Sequence, residues 1–238
     1  MKLDHLPELL HKNPYPGRGI ALGLSENGDT AVLLYFIMGR SEFSRNRAFY
    51  KADNDLLIRV LHKEKHTDVS LILYTPIRTL HETVIVTNGD QTDTVFEVLK
   101  SGGSFEEALM HRTFEPDTPH FTPRISGLMH FKEELSYKLS ILKSGDGHGG
   151  NTFRQFFSYE PQKGTGHFIH TYQGDADPLI SFAGEPCAIH IPTDLNAFAE
   201  DVWSALHPHN KIAMYMRFYN LATGTYDDRL FNNYASEA

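Results

Sequence analysis

Residues 71–93 read LILYTPIRTLHETVIVTNGDQTD and predict two strands, a tight turn and the beginning of a helix. The run at 69–74 is almost continuously apolar, as in a strand covered on both faces, and residues 83–87 are β-branched throughout. Asn88-Gly89 is a strong turn signal. Residues 94–97 predict a capping box that opens a short helix, which Ser101-Gly102-Gly103 end. Such a junction can bind an anionic ligand at the helix N-terminus, or it can be an ordinary strand–turn–helix connection.

The segments around this junction predict further strands and a few short helices. On the N-terminal side, residues 3–12 predict a helix, and a turn at 26–29 joins strands at 18–24 and 30–38. The second of these strands is almost wholly apolar, so we expect it to be central. The remaining strands are expected at 55–61, 151–159, 167–172 and 211–219, and helices at 104–111 and 195–206, while 128–144 fits either state. The fold class is therefore α+β, with sheet packed on sheet and helices outside.

The composition limits the classes of function. The chain has 238 residues, a net charge of −8 and one cysteine, Cys187. One cysteine excludes an internal disulfide, and a reduced compartment is the natural expectation, so we predict a cytoplasmic location. No run approaches a membrane span, and the negative charge does not favour nucleic acid, so neither partner is expected. We expect a single domain over 1–238, with an N-terminal extension at 1–14 and a C-terminal tail at 220–238.

Two loops concentrate the polar residues that could meet a ligand. Residues 39–47 place three arginines directly after the apolar strand, and arginine forks suit phosphate and carboxylate groups. Residues 114–127 contain three prolines, with Glu115 near one end and Arg124 near the other, and long rigid loops are often functional. The alternatives are a solvated surface loop for the first and a structural crossover held by a Glu115–Arg124 pair for the second.

Other common chemistries lack their sequence signals. The pairs His167/His170 and His207/His209 have no obvious carboxylate partner and do not follow zinc spacing, so no metal site is predicted. Cys187 lies beside a proline in an apolar stretch and fits a buried small residue better than a nucleophile. No phosphate-loop or nucleophile-elbow motif is present.

Five segments, in this order, resemble the archaeal-type IMP cyclohydrolase family. They are YPGR at 15–18, GRSEFSRNR at 39–47, TNGDQTD at 87–93, EPDTPHFTPRISG at 115–127 and GNTFRQF at 150–156. The chain departs from the family at Arg45, where a proline is usual, and at the additional residue Glu42. The resemblance covers roughly residues 15–190.

The resemblance implies a four-layer αββα sandwich of the N-terminal nucleophile hydrolase type, used without a processed nucleophile. It also implies ring closure of 5-formamidoimidazole-4-carboxamide ribonucleotide to IMP with loss of water, with no cofactor and no metal. The implied partner is therefore a small purine nucleotide. The sequence leaves the oligomeric state open, and a homo-oligomer is one alternative.

The same resemblance suggests a role for individual residues. Tyr74 would donate to the formyl oxygen or the departing hydroxyl, Glu115 would carry protons, and Arg40, or alternatively Arg124, would stabilise the oxyanion. Arg18, Arg47 and Asn88 would meet the 5′-phosphate and the base amide. The remaining predicted substrate-binding residues are Ser41, Asn46, Thr87, Asp93, Thr122, Arg124 and Asn151.

Two other functions stay open on the sequence alone. One is an amide hydrolase of the same fold, for which Ser41 and Cys187 are the best internal nucleophiles, although neither has a convincing base. The other is a non-catalytic protein that binds purine nucleotides.

Overall fold

The computed structural model describes residues 2–62, 73–132 and 134–234, and that part of the chain contains two antiparallel sheets. The strands of the first sheet, in the order in which they lie side by side, are β11 Cys187–His190, β10 Thr165–His170, β1 Arg18–Leu24, β2 Thr30–Met38, β12 Lys211–Asn220 and β13 Tyr226–Asn232. In the second sheet the strands lie side by side in sequence order: β3 Arg47–Ala52, β4 Asp55–Val60, β5 Ile77–Leu80, β6 Thr83–Thr87, β7 Arg124–His130, β8 Ser136–Ser144 and β9 Thr152–Tyr159.

Helices connect these strands and cover the outer faces of the sheets. They are α1 Leu6–Lys12, α2 Glu42–Arg45, α3 Gln91–Lys100, α4 Phe105–Met110 and α5 Leu195–Ala205. The predicted capping box at Ser104 opens α4, where Ser104 and Glu107 exchange hydrogen bonds. Asp194 caps α5 as predicted, with its carboxylate accepting the Ala197 N–H. None of the helices described is long and apolar enough to cross a membrane.

Strand β2 is central, as its apolar sequence predicts. It pairs with β1 on one side and with β12 on the other, and its residues from Ala31 onward are buried. Alternate side chains point to opposite faces of a strand. Leu33, Tyr35 and Ile37 therefore enter the core between the sheets, while Leu34 and Phe36 pack under the helices.

Three apolar clusters hold the layers together. The first combines residues of both sheets, such as Leu33 and Ile141, and forms the core between them. The second places α1 and α5 on the first sheet through Leu10 and Phe198, among others. The third places α3 and α4 on the second sheet around Phe105. The arrangement is α+β and is compatible with the predicted sandwich.

The structure differs from the sequence prediction within residues 69–100. Of the strand predicted at 69–74, residues 69–72 lie outside the described residues, and Leu73 and Tyr74 are not in a strand. Helix α3 begins at Gln91 rather than after a capping box at 94–97, because the turn at Gly89 continues directly into helical backbone. The ending at Ser101 and Gly102 is as predicted, and Gly102 has the left-handed φ of +85° typical of such an ending.

The C-terminal residues contribute a strand instead of a loose tail. Strand β13, Tyr226–Asn232, pairs along its whole length with β12. Phe231 stacks on Trp203 of α5 with ring centroids 5.4 Å apart, and the Nζ of Lys211 lies 4.3 Å from the Trp203 ring centroid. Aromatic contacts therefore attach this edge strand to the helical layer.

One glycine pair sets how closely β1 and β10 approach. Gly23 lies opposite Gly166, and a Cβ added at Gly23 would be 2.5 Å from the Gly166 Cα and 2.7 Å from the Thr165 carbonyl oxygen. We expect Gly23→Ala to lower the free energy of unfolding by about 1–3 kcal/mol, as overpacking against backbone does. Thermal unfolding measures this loss. Gly145→Ala, whose nearest new contact is an ordinary 3.4 Å, is the control and should unfold like the wild type.

Candidate active site

Several strand ends meet at one open cleft of about 420 Å³. Arg18 begins β1, Met38 ends β2 and Arg47 begins β3, while Thr122 and Tyr172 lie beside β7 and β10. The cleft is lined by Tyr15, Arg18, Met38, Arg40, Ser41, Ser44, Arg47, Asp117, His120, Thr122, Tyr172 and Leu179. Both loops that the sequence singled out, 39–47 and 114–127, therefore contribute to its walls.

A buried carboxyl lies beside the cleft and is paired with an arginine. Glu115 is 2% exposed, and its Oε2 is 3.7 Å from Nη2 of Arg18. Burial raises the pKa of Glu115 to about 7, against the opposing charges of Arg18 and Arg124. Burial alone would lower the pKa of Arg18, but Glu115 and the nearby tyrosines act together in the opposite direction, and the net direction is upward. Glu115 can therefore gain and lose a proton near neutral pH.

Two tyrosines form a hydroxyl pair next to these charges. The hydroxyl groups of Tyr35 and Tyr74 are 2.6 Å apart. Burial raises the pKa of both tyrosines, and the positive charges of Arg47 and Arg18 act in the opposite direction at both. Either hydroxyl can donate to the other. Donation by Tyr35 is the arrangement that leaves the Tyr74 proton free for a ligand.

Arg47 is a buried cation without a carboxylate partner in the described residues. The residue is 1% exposed, and its Nε and Nη1 have no hydrogen-bond acceptor there. Burial and repulsion by Arg18 lower its pKa, although the nearby tyrosines, Tyr74 first, act in the opposite direction. Because an unpaired buried charge is costly, this arrangement favours an anionic group entering from the cleft.

A short network fixes the loop that carries Glu115. Asp117 accepts the Thr122 N–H at 2.6 Å and also the Thr122 hydroxyl. The Thr122 hydroxyl oxygen is 2.5 Å from the Tyr172 hydroxyl oxygen, and the Glu115 N–H donates to the Thr122 carbonyl at 2.9 Å. Thr122 therefore holds the two ends of this loop together and ties it to the first sheet.

Arg40 and Ser41 lie nearer the mouth of the cleft. Arg40 donates to Asp175 at 2.8 Å and to the Ala176 carbonyl at 3.0 Å, and its guanidinium lies 5.1 Å from the Tyr15 ring centroid. Ser41 caps α2 by accepting the Ser44 N–H. Both side chains remain partly exposed, unlike Arg47.

Three predicted residues form a buried network outside the cleft lining. The Asn88 side-chain oxygen accepts the Ile125 N–H at 2.8 Å, and Thr87 hydrogen-bonds Thr92 at 2.7 Å. Arg124 pairs with Asp90 at 2.7 Å and donates to Gln91. The alternative of a Glu115–Arg124 ion pair is therefore wrong, because Arg18 is the partner of Glu115. This network fixes the strand–turn–helix junction against β7.

The remaining predicted residues lie away from the cleft lining. The side chain of Asn46 bonds the backbone of His62 twice, at 2.7 and 2.8 Å, and joins the start of β3 to the end of β4. Asp93 is largely exposed and pairs with Arg78. Asn151 is exposed in the β8–β9 loop, where its carbonyl accepts the Gly145 N–H.

Sequence reasoning missed two tyrosines of the site. Tyr35 lies inside an apolar strand and gives no sequence signal. Tyr172 lies just after β10, and its ring stacks on Tyr15 at 5.9 Å between centroids. Tyr172 could have been selected by its position at the end of a predicted strand. The positions of Arg18 and Arg47 near strand ends gave the same kind of signal.

The histidines do not form a metal site in the described ranges, where no three His, Cys, Asp or Glu side chains come together as ligands. His167 contacts Tyr137 and Tyr159, whereas His170 stacks on Phe168, so the two point to opposite faces of β10. Cys187 lies in the edge strand β11, and burial raises the pKa of its thiol. A raised pKa disfavours the thiolate that a nucleophile needs.

A sequence model of IMP cyclohydrolase-like proteins matches residues 15–224. The chain belongs to the IMP cyclohydrolase-like family. It is also 27% identical over 193 residues to a protein named IMP cyclohydrolase from Methanopyrus kandleri, an alignment that covers 74% of this chain and 92% of that relative.

Within this family match lie all of the residues that line the cleft, as well as Tyr74 and Glu115. Helix α1 and strand β13 lie outside it. The IMP cyclohydrolase-like part of the chain therefore contains the complete candidate site.

Proposed function

We propose that this protein is an IMP cyclohydrolase that closes the second purine ring of 5-formamidoimidazole-4-carboxamide ribonucleotide, with loss of water. The observation that carries the proposal is the buried Glu115, with a pKa of about 7, paired with Arg18 beside an arginine-lined cleft. Membership of the IMP cyclohydrolase-like family and the named relative support the same reaction. The proposed ligand is a small purine nucleotide, and the enzyme class is hydrolase.

Ring closure joins two groups of one molecule. The carboxamide nitrogen attacks the formyl carbon, a tetrahedral carbinolamine forms, and its hydroxyl leaves as water. Holding both groups in contact supplies much of the acceleration, because no second reactant has to be captured. The amide nitrogen is a weak nucleophile, so the site must also move protons and stabilise charge on the formyl oxygen.

Glu115 is the proposed proton carrier. Its carboxylate takes the proton that the carboxamide nitrogen loses and passes it to the formyl oxygen, which becomes the carbinolamine hydroxyl. Glu115 then takes the formamido N–H proton and delivers it to that hydroxyl, which leaves as water while the ring C=N bond forms. A pKa of about 7 suits both steps, because neither the acid nor the base form is strongly favoured at neutral pH. Arg18 keeps the carboxylate form accessible in a buried position.

Tyr74 is the proposed donor to the formyl oxygen. Its hydroxyl oxygen lies 2.6 Å from that of Tyr35, and either hydroxyl can be the donor. We assign Tyr35 as the donor, which orients the Tyr74 ring and leaves its proton available. Arg18 and Arg47 lie close enough for their charges to act on Tyr74. The side chains of Arg18 and Arg47 are more buried than that of Arg40, which makes them better suited to stabilise the developing oxyanion, and the partly exposed Arg40 suits the 5′-phosphate.

We further infer the N-terminal nucleophile hydrolase type for this sandwich, with the nucleophile unused. The two stacked antiparallel sheets with helices outside support this type. A cytoplasmic location and a homo-oligomer stay predictions. The amide hydrolase alternative has little support, since the Ser41 hydroxyl contacts only Ser44 among the described residues.

The decisive experiment mixes purified protein with the formylated carboxamide ribonucleotide and follows the hypoxanthine absorbance band. Growth of that band above the uncatalysed rate supports the proposal. Binding of IMP without any acceleration would instead indicate a nucleotide-binding protein. If the protein shows neither turnover nor IMP binding, the proposal is wrong, and the chain shares only its fold with the family.

Tyr74→Phe should lower kcat by about 10²-fold, in the range of a lost proton donor, because the phenyl ring keeps the packing and loses only the hydroxyl. The Kd for IMP should change less than threefold or so, since the donation is strongest in the transition state. Absorbance kinetics and calorimetry measure the two effects. Tyr50→Phe, on the exposed part of β3, is the control and should match the wild type.

A further inference from the structure

We infer that His120 is a phosphate-binding residue of the cleft, donating a hydrogen bond from its Nε2 to the 5′-phosphate of the nucleotide. The inference rests on the proposed function for the identity of the nucleotide. His120 lines both the candidate cleft and a second pocket of about 500 Å³, so it lies where the two meet.

The backbone holds His120 in this position by a tight turn. The N–H groups of His120 and Phe121 donate to the Asp117 carbonyl at 2.9 and 3.3 Å, and the Asp117 side chain ties down Thr122. Phe121 has a φ of +43°, a left-handed conformation that bulky residues rarely adopt. Packing of Phe121 against Phe114, with ring centroids 5.7 Å apart, keeps it there. Strain of this kind persists where the surroundings impose it, and it commonly accompanies ligand sites.

The surroundings of the ring assign its two nitrogens different roles. Nδ1 is buried and has no hydrogen-bond partner in the described residues. Nε2 is not among these buried atoms without a partner, and the residue as a whole is partly exposed. A buried N–H without an acceptor costs more than one that stays hydrated, so the neutral ring carries its proton on Nε2. His120 thus presents an N–H donor, which suits a phosphate oxygen.

The position of the reacting groups determines which part of the nucleotide His120 meets. The formyl and carboxamide groups must lie beside Tyr74 and Glu115, in the buried part of the site. The 5′-phosphate is at the opposite end of the nucleotide and therefore extends toward the mouth of the cleft. Apart from Arg18, which pairs with Glu115, the polar lining residues that are at least partly exposed are Arg40, Ser41, Ser44, Asp117 and His120. Arg40 carries a charge that it shares with Asp175, the Asp117 carboxylate accepts from Thr122, and His120 supplies a directed donor.

Calorimetry with IMP and with inosine, which lacks the phosphate, tests this assignment. His120→Ala should weaken IMP binding roughly ten- to hundredfold, as loss of a hydrogen bond to a charged group does, and leave inosine binding unchanged. His120→Gln can place an amide N–H near the Nε2 position and should restore most of the IMP affinity. His120→Asn reaches only the Nδ1 position and should behave like alanine.

Exposed His11→Ala, on helix α1, is the matched control and should bind both ligands like the wild type. Thermal unfolding checks that each variant folds. Unchanged IMP affinity in His120→Ala, or equal losses for IMP and inosine in a folded variant, would overturn the inference. If the wild type neither binds IMP nor closes the ring, the proposed function is wrong, and binding of ribose 5-phosphate then tests the role of His120 separately. Binding of ribose 5-phosphate by the wild type, lost in His120→Ala, would support that role. A wild type that does not bind ribose 5-phosphate would overturn it.

Discussion

Glu115→Gln should lower kcat by about 10²- to 10⁴-fold while the protein still binds IMP. The substitution keeps the shape of the side chain but removes its negative charge and its ability to carry a proton. The amide still lies beside Arg18, whose Nη2 is 3.7 Å from the carboxylate in the wild type. Because IMP is the product and needs no further proton transfer, its Kd should change far less than kcat.

The pH dependence of kcat/KM in the wild type and in Glu115→Gln tests whether Glu115 is the group that carries the proton. Burial raises the folded pKa of Glu115 to about 7, so the carboxylate that accepts the amide proton is lost as pH falls below that value. Wild-type kcat/KM should therefore drop about tenfold per pH unit on the acid side. The residual activity of Glu115→Gln should lack this limb.

The pH dependence of the free energy of unfolding gives an independent test of the raised pKa of Glu115. A raised folded pKa means that the native protein binds this proton more tightly than the unfolded chain does. The stabilising contribution is complete below the ordinary value of 4.5 and is lost as pH rises through about 7. Glu200→Gln, an exposed carboxylate on α5, is the control and should keep full activity and the acid limb. A Glu115→Gln protein with wild-type turnover would contradict the assigned role.

Arg47→Met should stabilise the free protein and strongly lower its turnover. The guanidinium of Arg47 is buried with unpaired nitrogens, and replacing buried ions by apolar side chains is often neutral or stabilising by about 1–4 kcal/mol. For a protein of this size each kcal/mol raises Tm by about 2–4 °C. Turnover should fall by at least about 10²-fold, since the oxyanion loses a buried positive charge.

A matched pair of measurements separates these effects. Thermal unfolding of the ligand-free proteins gives the change in Tm, and absorbance kinetics give the change in kcat. Arg59→Met, at an exposed position of the neighbouring strand β4, removes an arginine without removing a buried charge and should alter neither. A lower Tm for Arg47→Met would show that the buried guanidinium stabilises the fold, and the proposed conflict between stability and function would be wrong.

The sequence was most informative where one local signal is sufficient. The apolar run of β2 predicted a central strand, and the Asp194 and Ser104 caps predicted the starts of α5 and α4. These features depend on periodicity and capping, which are local properties. The start of α3 was mispredicted, since helical backbone directly after Gly89 needs no capping side chain.

The site was less predictable, because its contacts join residues distant in sequence. Arg18 and Glu115 were both singled out, yet their pairing could not be inferred, and Arg124 looked like an equally good partner. Tyr35 was invisible, since an apolar strand gives no reason to select one buried hydroxyl. Asn88 and Thr87 carry strong motif signals, but those signals reflect the hydrogen bonds of a turn as much as a ligand.

The stacking of Trp203 on Phe231 determines what intrinsic fluorescence can report. Trp203 is the single tryptophan of the chain; it contacts Phe231 of strand β13 and Lys211, and it is not one of the residues that line the cleft. Its emission is therefore a spectroscopic marker of how the C-terminal strand is seated on the helical layer. A titration with nucleotide followed by tryptophan emission would be nearly silent even for a tight ligand. During denaturation the same emission would report release of the C-terminal strand. Comparison with circular dichroism, which follows the sheets, would show whether this strand is released before the sheets unfold or together with them.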